Sequence, residues 1–181
     1  ILVGGGMAFT FLSASGSSVG ASILEESMLS DANSILNQAR SRGIELVLPE
    51  DVYCGENTVN ARPKGPIAIN EIPDKMMGLD IGPKTLERFA SALDRAETIF
   101  WNGPVGMCEL PGYERGSEQL AILLAKMKEM GKTVIIGGGD TASAINKFGL
   151  NNNMSHVSTG GGASLELMSG KPLPALQSLE V

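Results

Sequence analysis

Short runs of aliphatic and β-branched residues alternate along the chain with amphipathic stretches. Each run is too short for a helix and almost uninterrupted by polar residues, which is typical of strands buried on both faces of a sheet. The pattern predicts five such strands, over residues 1–3, 45–48, 98–101, 133–136 and 156–159.

Segments 28–39 and 120–130 carry apolar residues at three- and four-residue spacing, which predicts two amphipathic helices. Gly43 and Gly131 follow them, where a left-handed residue commonly ends a helix. The alternation of strands and helices predicts an α/β fold with a mostly parallel sheet wrapped by helices. Glycines and prolines punctuate residues 54–73, which are therefore predicted to form a long surface excursion.

Composition narrows the class of protein. The 181 residues include 14 Lys and Arg against 20 Asp and Glu, with no basic run, so nucleic acid is not an expected partner. No apolar stretch reaches the roughly 20 residues that cross a bilayer, and membrane partners are not expected either. Cys54 and Cys108 fit no metal or disulfide pattern, which favours a reducing compartment, expected to be the cytoplasm with a plastid or another organelle as the alternative. The chain is expected to be one domain and, lacking an initiator Met, to begin inside a larger protein.

Glycine clusters mark the ends of four of the predicted strands. Three strands lead into triple glycines, at residues 4–6, 137–139 and 160–162, and a fourth leads into residues 102–106. Because the carboxyl ends of parallel strands lie at one edge of a sheet, we expect these clusters to converge there. Exposed backbone N–H groups and helix N-termini would suit a polyphosphate at that edge.

Asp140 and the segment 158–163 have two interpretations each. Asp140 either caps the helix after the second cluster or holds a magnesium ion that bridges phosphates, with Thr141 donating to the same phosphates. Residues 158–163 have no ionisable group, so they either stabilise a moving phosphoryl group with N–H groups or form a tight turn against the sheet.

Several familiar motifs are absent. Phe9 and Leu165 occupy the third glycine position of G-x-G-x-x-G, so the dinucleotide fingerprint is missing. Lys132 lies in a Gly-Lys-Thr triplet that precedes a strand, where a P-loop would follow one. His156 is expected to be packed or to cap an element, and Cys108 to be a small apolar filler.

An ordered series of segments resembles the carboxyl-terminal, nucleotide-binding half of the phosphoglycerate kinases. The matching segments are residues 4–11, 48–49, 78–83, 101–106, 137–142 and 155–167. The resemblance implies a Rossmann-like parallel sheet with helices on both faces, binding MgATP or MgADP. It also implies reversible phosphoryl transfer between 1,3-bisphosphoglycerate and ADP, a glycolytic step, with 3-phosphoglycerate held by an amino-terminal domain.

The same resemblance implies roles for individual residues. The adenine pocket would be lined by Gly5, Gly6, Gly78, Leu79 and Met107, with Glu109 accepting from the ribose hydroxyls and Asn102 and Pro104 lying along the nucleotide. The phosphates would meet Gly138, Gly139 and Thr141, with Asp140 as the magnesium ligand. The transferred phosphoryl would be stabilised by the backbone N–H groups of Gly139 and Gly162.

Departures from the family pattern leave a second hypothesis open. The first strand of the sheet, its lysines and the basic amino-terminal domain would precede residue 1, so residues 1–181 are expected to be an incomplete nucleotide-binding domain that is inactive alone. The full enzyme is expected to be monomeric. Thr58 replaces an aromatic, Cys108 a phenylalanine and Ser13 a lysine. The alternative is a truncated or diverged module that binds nucleotide, or a partner protein, without transferase activity.

Overall fold

The computed structural model describes residues 1–56 and 62–178, which contain seven α-helices and six strands. The chain divides into two compact units. Unit 1 comprises Ile1–Arg95 and Pro104–Leu120, and unit 2 comprises Ala96–Gly103 and Ala121–Val181.

Unit 1 is built around a three-stranded antiparallel sheet. Its strands are β1 (Asp51–Gly55), β2 (Lys64–Ala68) and β3 (Met77–Ile81), in the order β2-β1-β3. Its helices are α1 (Gly5–Ala14), α2 (Leu29–Ser41) and α3 (Pro83–Leu93), with short 3-10 helices at Glu26–Met28 and Ile69–Glu71.

The antiparallel sheet corrects the prediction of a surface excursion over residues 54–73. Strand β2 lies inside that segment and pairs with β1, with Val52 opposite Ile67. Its sequence contains Gly65 and Pro66, which read as loop residues, but β2 is an edge strand, where proline is tolerated. Position in the sheet therefore overrode the local turn signal.

The first two predicted strands pair in the parallel direction but over a single bridge, Leu2 to Val47. The Val3 N–H donates to the Val47 carbonyl at 3.0 Å, and the Val47 N–H donates to the Ile1 carbonyl at 2.8 Å. The predicted strands at 1–3 and 45–48 are thus wrong in extent. The pairing stops because α1 begins at Gly5 and because Pro49 has no N–H to donate.

Helix α1 supplies side chains to two separate apolar clusters in unit 1. One cluster contains Phe9, Leu12 and Val52, and the other contains Ala8 and Phe11. Five consecutive residues of α1, from 8 to 12, are buried, so the helix is enclosed on more than one face. The burial fixes the direction in which the N-terminus of α1 points within unit 1.

Unit 2 contains the parallel sheet that the sequence predicts. Its strands are β4 (Thr98–Asn102), β5 (Thr133–Gly137) and β6 (His156–Ser158), in the order β4-β5-β6, and every pairing is parallel. Helix α4 (Arg115–Glu129) begins in unit 1 and ends in unit 2. The remaining helices are α5 (Gly139–Lys147), α6 (Gly161–Met168) and α7 (Pro174–Gln177), with a 3-10 helix at Asn151–Asn153.

The predicted helix ends are confirmed. Gly43 and Gly131 adopt φ angles of +66° and +96° after α2 and α4. The Lys132 N–H donates back to the Met127 carbonyl at 3.1 Å, which is the hydrogen bond expected one residue past a left-handed glycine. The expectation of a packed His156 is wrong, because its side chain is exposed at the start of β6.

Candidate functional site

Three glycine-rich turns converge at the carboxyl edge of the parallel sheet in unit 2. Gly138 follows β5 with a φ of +93°, and a Cβ there would overlap Oδ1 of Asn102, the last residue of β4. A Cβ on Gly161, after β6, would lie 2.6 Å from the Gly138 Cα and 3.1 Å from Asn102 Oδ1. The predicted convergence is confirmed for these three turns.

The convergence brings two helix N-termini together. Helix α5 starts at Gly139 and α6 at Gly161, and neither N-cap, Gly138 or Gly160, makes a side-chain hydrogen bond to its helix. The first N–H groups of each helix therefore have no side-chain cap, and both carry the positive end of the helix dipole. Two such ends beside each other form an anion-binding arrangement.

Gly139 and Gly162 are open positions within this arrangement. Both are exposed, and a Cβ built on either has no atom within 4 Å among the described residues. Each lies in the first turn of its helix, so its N–H is one of those that lack an intrahelical acceptor. A ligand could reach both backbones without displacing a side chain.

Asp140 is the second residue of α5, and its side chain is exposed. The interpretation of Asp140 as the N-cap is wrong, because Gly138 occupies that position and no side-chain cap hydrogen bond is present. No group of three His, Cys, Asp or Glu that could hold a metal occurs among residues 1–56 and 62–178. One exposed carboxylate beside an anion site still suits Mg²⁺, which is commonly held by one or two carboxylates together with substrate phosphates.

Thr141 is fully buried, with 0% of its surface exposed. Its Oγ1 accepts a hydrogen bond from the Gly103 N–H at 2.7 Å, and the Gly103 carbonyl accepts from Trp101 Nε1 at 2.7 Å. Thr141 thus fixes the turn after β4 in place. The Thr141 hydroxyl therefore makes this hydrogen bond to Gly103 and has no surface exposed to solvent.

In unit 1, the N-terminus of α1, strand β3 and the loop 104–109 contact one another. Gly5 has a φ of +63°, and a Cβ there would lie 2.8 Å from the Pro104 carbonyl oxygen. The Met107 N–H donates to the Leu79 carbonyl at 2.8 Å. The structure therefore brings together the segments that hold all the unit 1 residues assigned to adenine or ribose.

Exposure differs among these residues. Gly6 and Glu109 are exposed and Met107 is half-buried, whereas Gly78 and Leu79 are buried. A Cβ on Gly78 would overlap the Phe9 ring, and the Gly78 N–H donates to Ser22 Oγ at 2.9 Å, so packing within the chain already requires glycine at this position.

Asp80 is a buried carboxylate that the sequence reasoning did not select. It is 3% exposed, and it accepts hydrogen bonds from the Gly116 N–H at 2.7 Å and the Ile81 N–H at 2.9 Å. Burial raises the pKa of Asp80 to about 7, the two N–H groups oppose this rise, and the nearby Glu114 charge adds to it. The sequence signal that could have identified Asp80 is an acidic residue placed between two apolar residues of a strand.

Three positions depart from the family pattern. Thr58 lies outside the described residues, and Ser13 and Cys108 are half-buried.

Cys54 is buried, and burial raises its pKa to about 11, so it is a poor nucleophile at neutral pH. Within the described ranges, none of the helices has the length and apolar character needed to cross a membrane.

The parallel sheet with glycine turns and helix starts at its carboxyl edge places the chain among the α/β proteins whose ligand sites lie at strand ends. A family model described as "Phosphoglycerate kinase" matches residues 1–171. The chain belongs to the phosphoglycerate kinase family.

Relatives and a solved structure agree with this assignment. The chain is 47% identical over 99% of its length to "Phosphoglycerate kinase, cytosolic" from Nicotiana tabacum. It is 46% identical over 99% of its length to "Phosphoglycerate kinase 2, chloroplastic" from Arabidopsis thaliana. The phosphoglycerate kinase structure from Coxiella burnetii superimposes with a TM-score of 0.89 at 39% identity, covering 97% of this chain and 45% of that one. The chain spans 45% of the tobacco protein and 38% of the Arabidopsis protein.

Proposed function

We propose that this chain supplies the MgATP or MgADP site of a phosphoglycerate kinase, which transfers a phosphoryl group between 1,3-bisphosphoglycerate and ADP. The observation that carries the proposal is the pair of adjacent, uncapped helix N-termini at Gly139 and Gly161 in unit 2. Family membership supports the reaction. The chain spans 45% of the tobacco relative, and the phosphoglycerate is proposed to bind outside residues 1–181.

The residues of unit 2 are proposed to bind the phosphates. Gly138 and Gly139 would donate backbone N–H groups, and the N–H groups of Gly139 and Gly162 would stabilise charge on the transferred phosphoryl. Asp140 would hold Mg²⁺, which supplies charge neutralisation across the phosphate oxygens when bound. Thr141 is fully buried, so instead of meeting the phosphates directly, as the resemblance implies, it would hold the turn at Gly103.

The residues of unit 1 are proposed to bind the base and ribose. The backbone of Gly5, Gly6 and Gly78, with Leu79 and Met107, would line the adenine pocket. The exposed Glu109 carboxylate would accept hydrogen bonds from the ribose hydroxyls.

The flanking segments complete the proposed contacts. Asn102 and Pro104 would lie along the nucleotide. No Lys or Arg falls within a glycine cluster, so a cation from the rest of the protein would neutralise the transferring group. A cytoplasmic location, with a plastid or another organelle as the alternative, and a monomeric full enzyme also remain part of this proposal.

Titration with MgADP tests the proposal. Asp140→Ala should weaken binding of MgADP by about tenfold, corresponding to the loss of about 1.4 kcal/mol of metal-mediated attraction. Asp31→Ala is the matched control, because Asp31 is also an exposed acid in the first turn of a helix, α2. Wild-type protein that binds no MgADP at millimolar concentration, or equal losses in both variants, would contradict the proposed site.

A further inference from the structure

The loop 104–109 is anchored to α4 by a buried hydroxyl. Ser117 is 0% exposed, and its Oγ accepts hydrogen bonds from the Val105 N–H at 3.0 Å and the Gly106 N–H at 3.3 Å. These two N–H groups belong to the loop that carries Met107 and Glu109. Ser117 therefore sets the path of the loop backbone just before those residues.

Asp80 occupies the space between this loop and the start of α4. A Cβ on Gly106 or on Gly116 would overlap the Asp80 carboxylate, so both backbones approach it closely. The carboxylate also accepts the Gly116 N–H, and the carbonyl of the preceding Leu79 accepts the Met107 N–H. One side chain of β3 thus meets both the loop and the helix to which the loop is tied.

A carboxylate is needed here for its two acceptor oxygens. One oxygen takes the Gly116 N–H and the other takes the Ile81 N–H. An Asn side chain would match the shape but would set an NH₂ group against one of these donors. The three ion pairs found in the described part of the chain involve other carboxylates, and Glu114 is the charged group identified as acting on Asp80. A buried acid held mainly by backbone N–H groups is costly, which argues for a specific positional role.

We propose that Asp80 and Ser117 are positioning residues for the nucleotide, because together they fix the loop that presents Met107 and Glu109. This inference rests on the proposed function, in which those two residues contact the base and ribose. Asp80 and Ser117 act through the loop, so their loss should affect the base and ribose end of the ligand. Binding of the phosphates and of the phosphoglycerate should be affected much less.

Steady-state kinetics of the full-length protein at pH 8 tests the inference. Asp80→Asn, which loses one buried hydrogen bond, and Ser117→Ala, which loses two, should each raise the KM for nucleotide by about tenfold or more. The KM for 3-phosphoglycerate and kcat should stay within about twofold, because uniform binding would be lost without loss of transition-state contacts. Calorimetric Kd values for ADP should follow the nucleotide KM.

Asp51→Asn is the matched control. Asp51 is also 3% exposed and accepts helix N-terminal N–H groups, from Lys84 and Thr85 of α3, which lie outside the loop. A comparable rise in nucleotide KM in Asp51→Asn would overturn the inference, as would equal changes in kcat or phosphoglycerate KM in the two test variants. Unchanged nucleotide KM in both Asp80→Asn and Ser117→Ala would overturn it too. If Asp80→Asn fails to fold, Ser117→Ala alone decides, and wild-type protein that binds no ADP contradicts the proposed function instead.

Discussion

Replacing Asp80 with Asn should change how the stability of the protein depends on pH. Burial raises the Asp80 pKa from 3.8 to about 7, so the native state binds this proton more tightly than the unfolded chain does. The stabilisation from this group is therefore complete below pH 3.8, declines as the pH rises and is lost above about 7. A shift of about 3 pKa units, at about 1.4 kcal/mol each, amounts to about 4 kcal/mol.

The variant Asp80→Asn has no proton to lose at this position. Between pH 4 and pH 8, the difference in unfolding free energy between variant and parent should move by about 4 kcal/mol in favour of the variant. Urea denaturation of both proteins at pH 4, 6 and 8 measures this difference, and Ser117→Ala is a control whose difference should not vary with pH. A difference for Asp80→Asn that stays constant within about 1 kcal/mol would refute the reasoning.

Two further substitutions test contacts near the proposed site. Gly116→Ala should destabilise unit 1 by about 1–3 kcal/mol, because its Cβ would overlap the Asp80 carboxylate, and thermal denaturation would show the loss. Thr141→Val should cost about 1–3 kcal/mol by leaving the Gly103 N–H without its acceptor, whereas Thr141→Ser should retain most of the stability in the same urea assay.

Sequence patterns predicted the parallel half of the fold well. Strands β4 and β5 have apolar central residues and lead directly into glycine, and β6 reaches Gly160 after one further residue. These local features predict both the strand positions and the edge at which their turns meet. Strand β2 of the antiparallel sheet was missed because it contains Gly65 and Pro66, whose preference for turns is overridden only by pairing with β1. Pairing of that kind depends on residues distant in sequence.

The candidate site was predicted in outline and missed in detail. Convergence at Gly138 and Gly161 follows from parallel topology, so it could be expected from the sequence alone. Thr141 is hydrogen-bonded to Gly103, 38 residues away, and Asp80 is hydrogen-bonded to Gly116, 36 residues away. Hydrogen-bond partners this far apart cannot be predicted from the neighbouring residues in the sequence.

The open space around Gly139 and Gly162 has a consequence for the divergence of this family. Substitution at Gly138 or Gly161 is blocked by the chain's own atoms, so packing alone would account for their retention over time. No such steric barrier to alanine exists at Gly139 or Gly162 among the described residues. If homologues nonetheless keep glycine at those two positions, the selective pressure comes from a molecule outside the chain. A homologue that no longer binds its substrate would then be expected to lose these two glycines first.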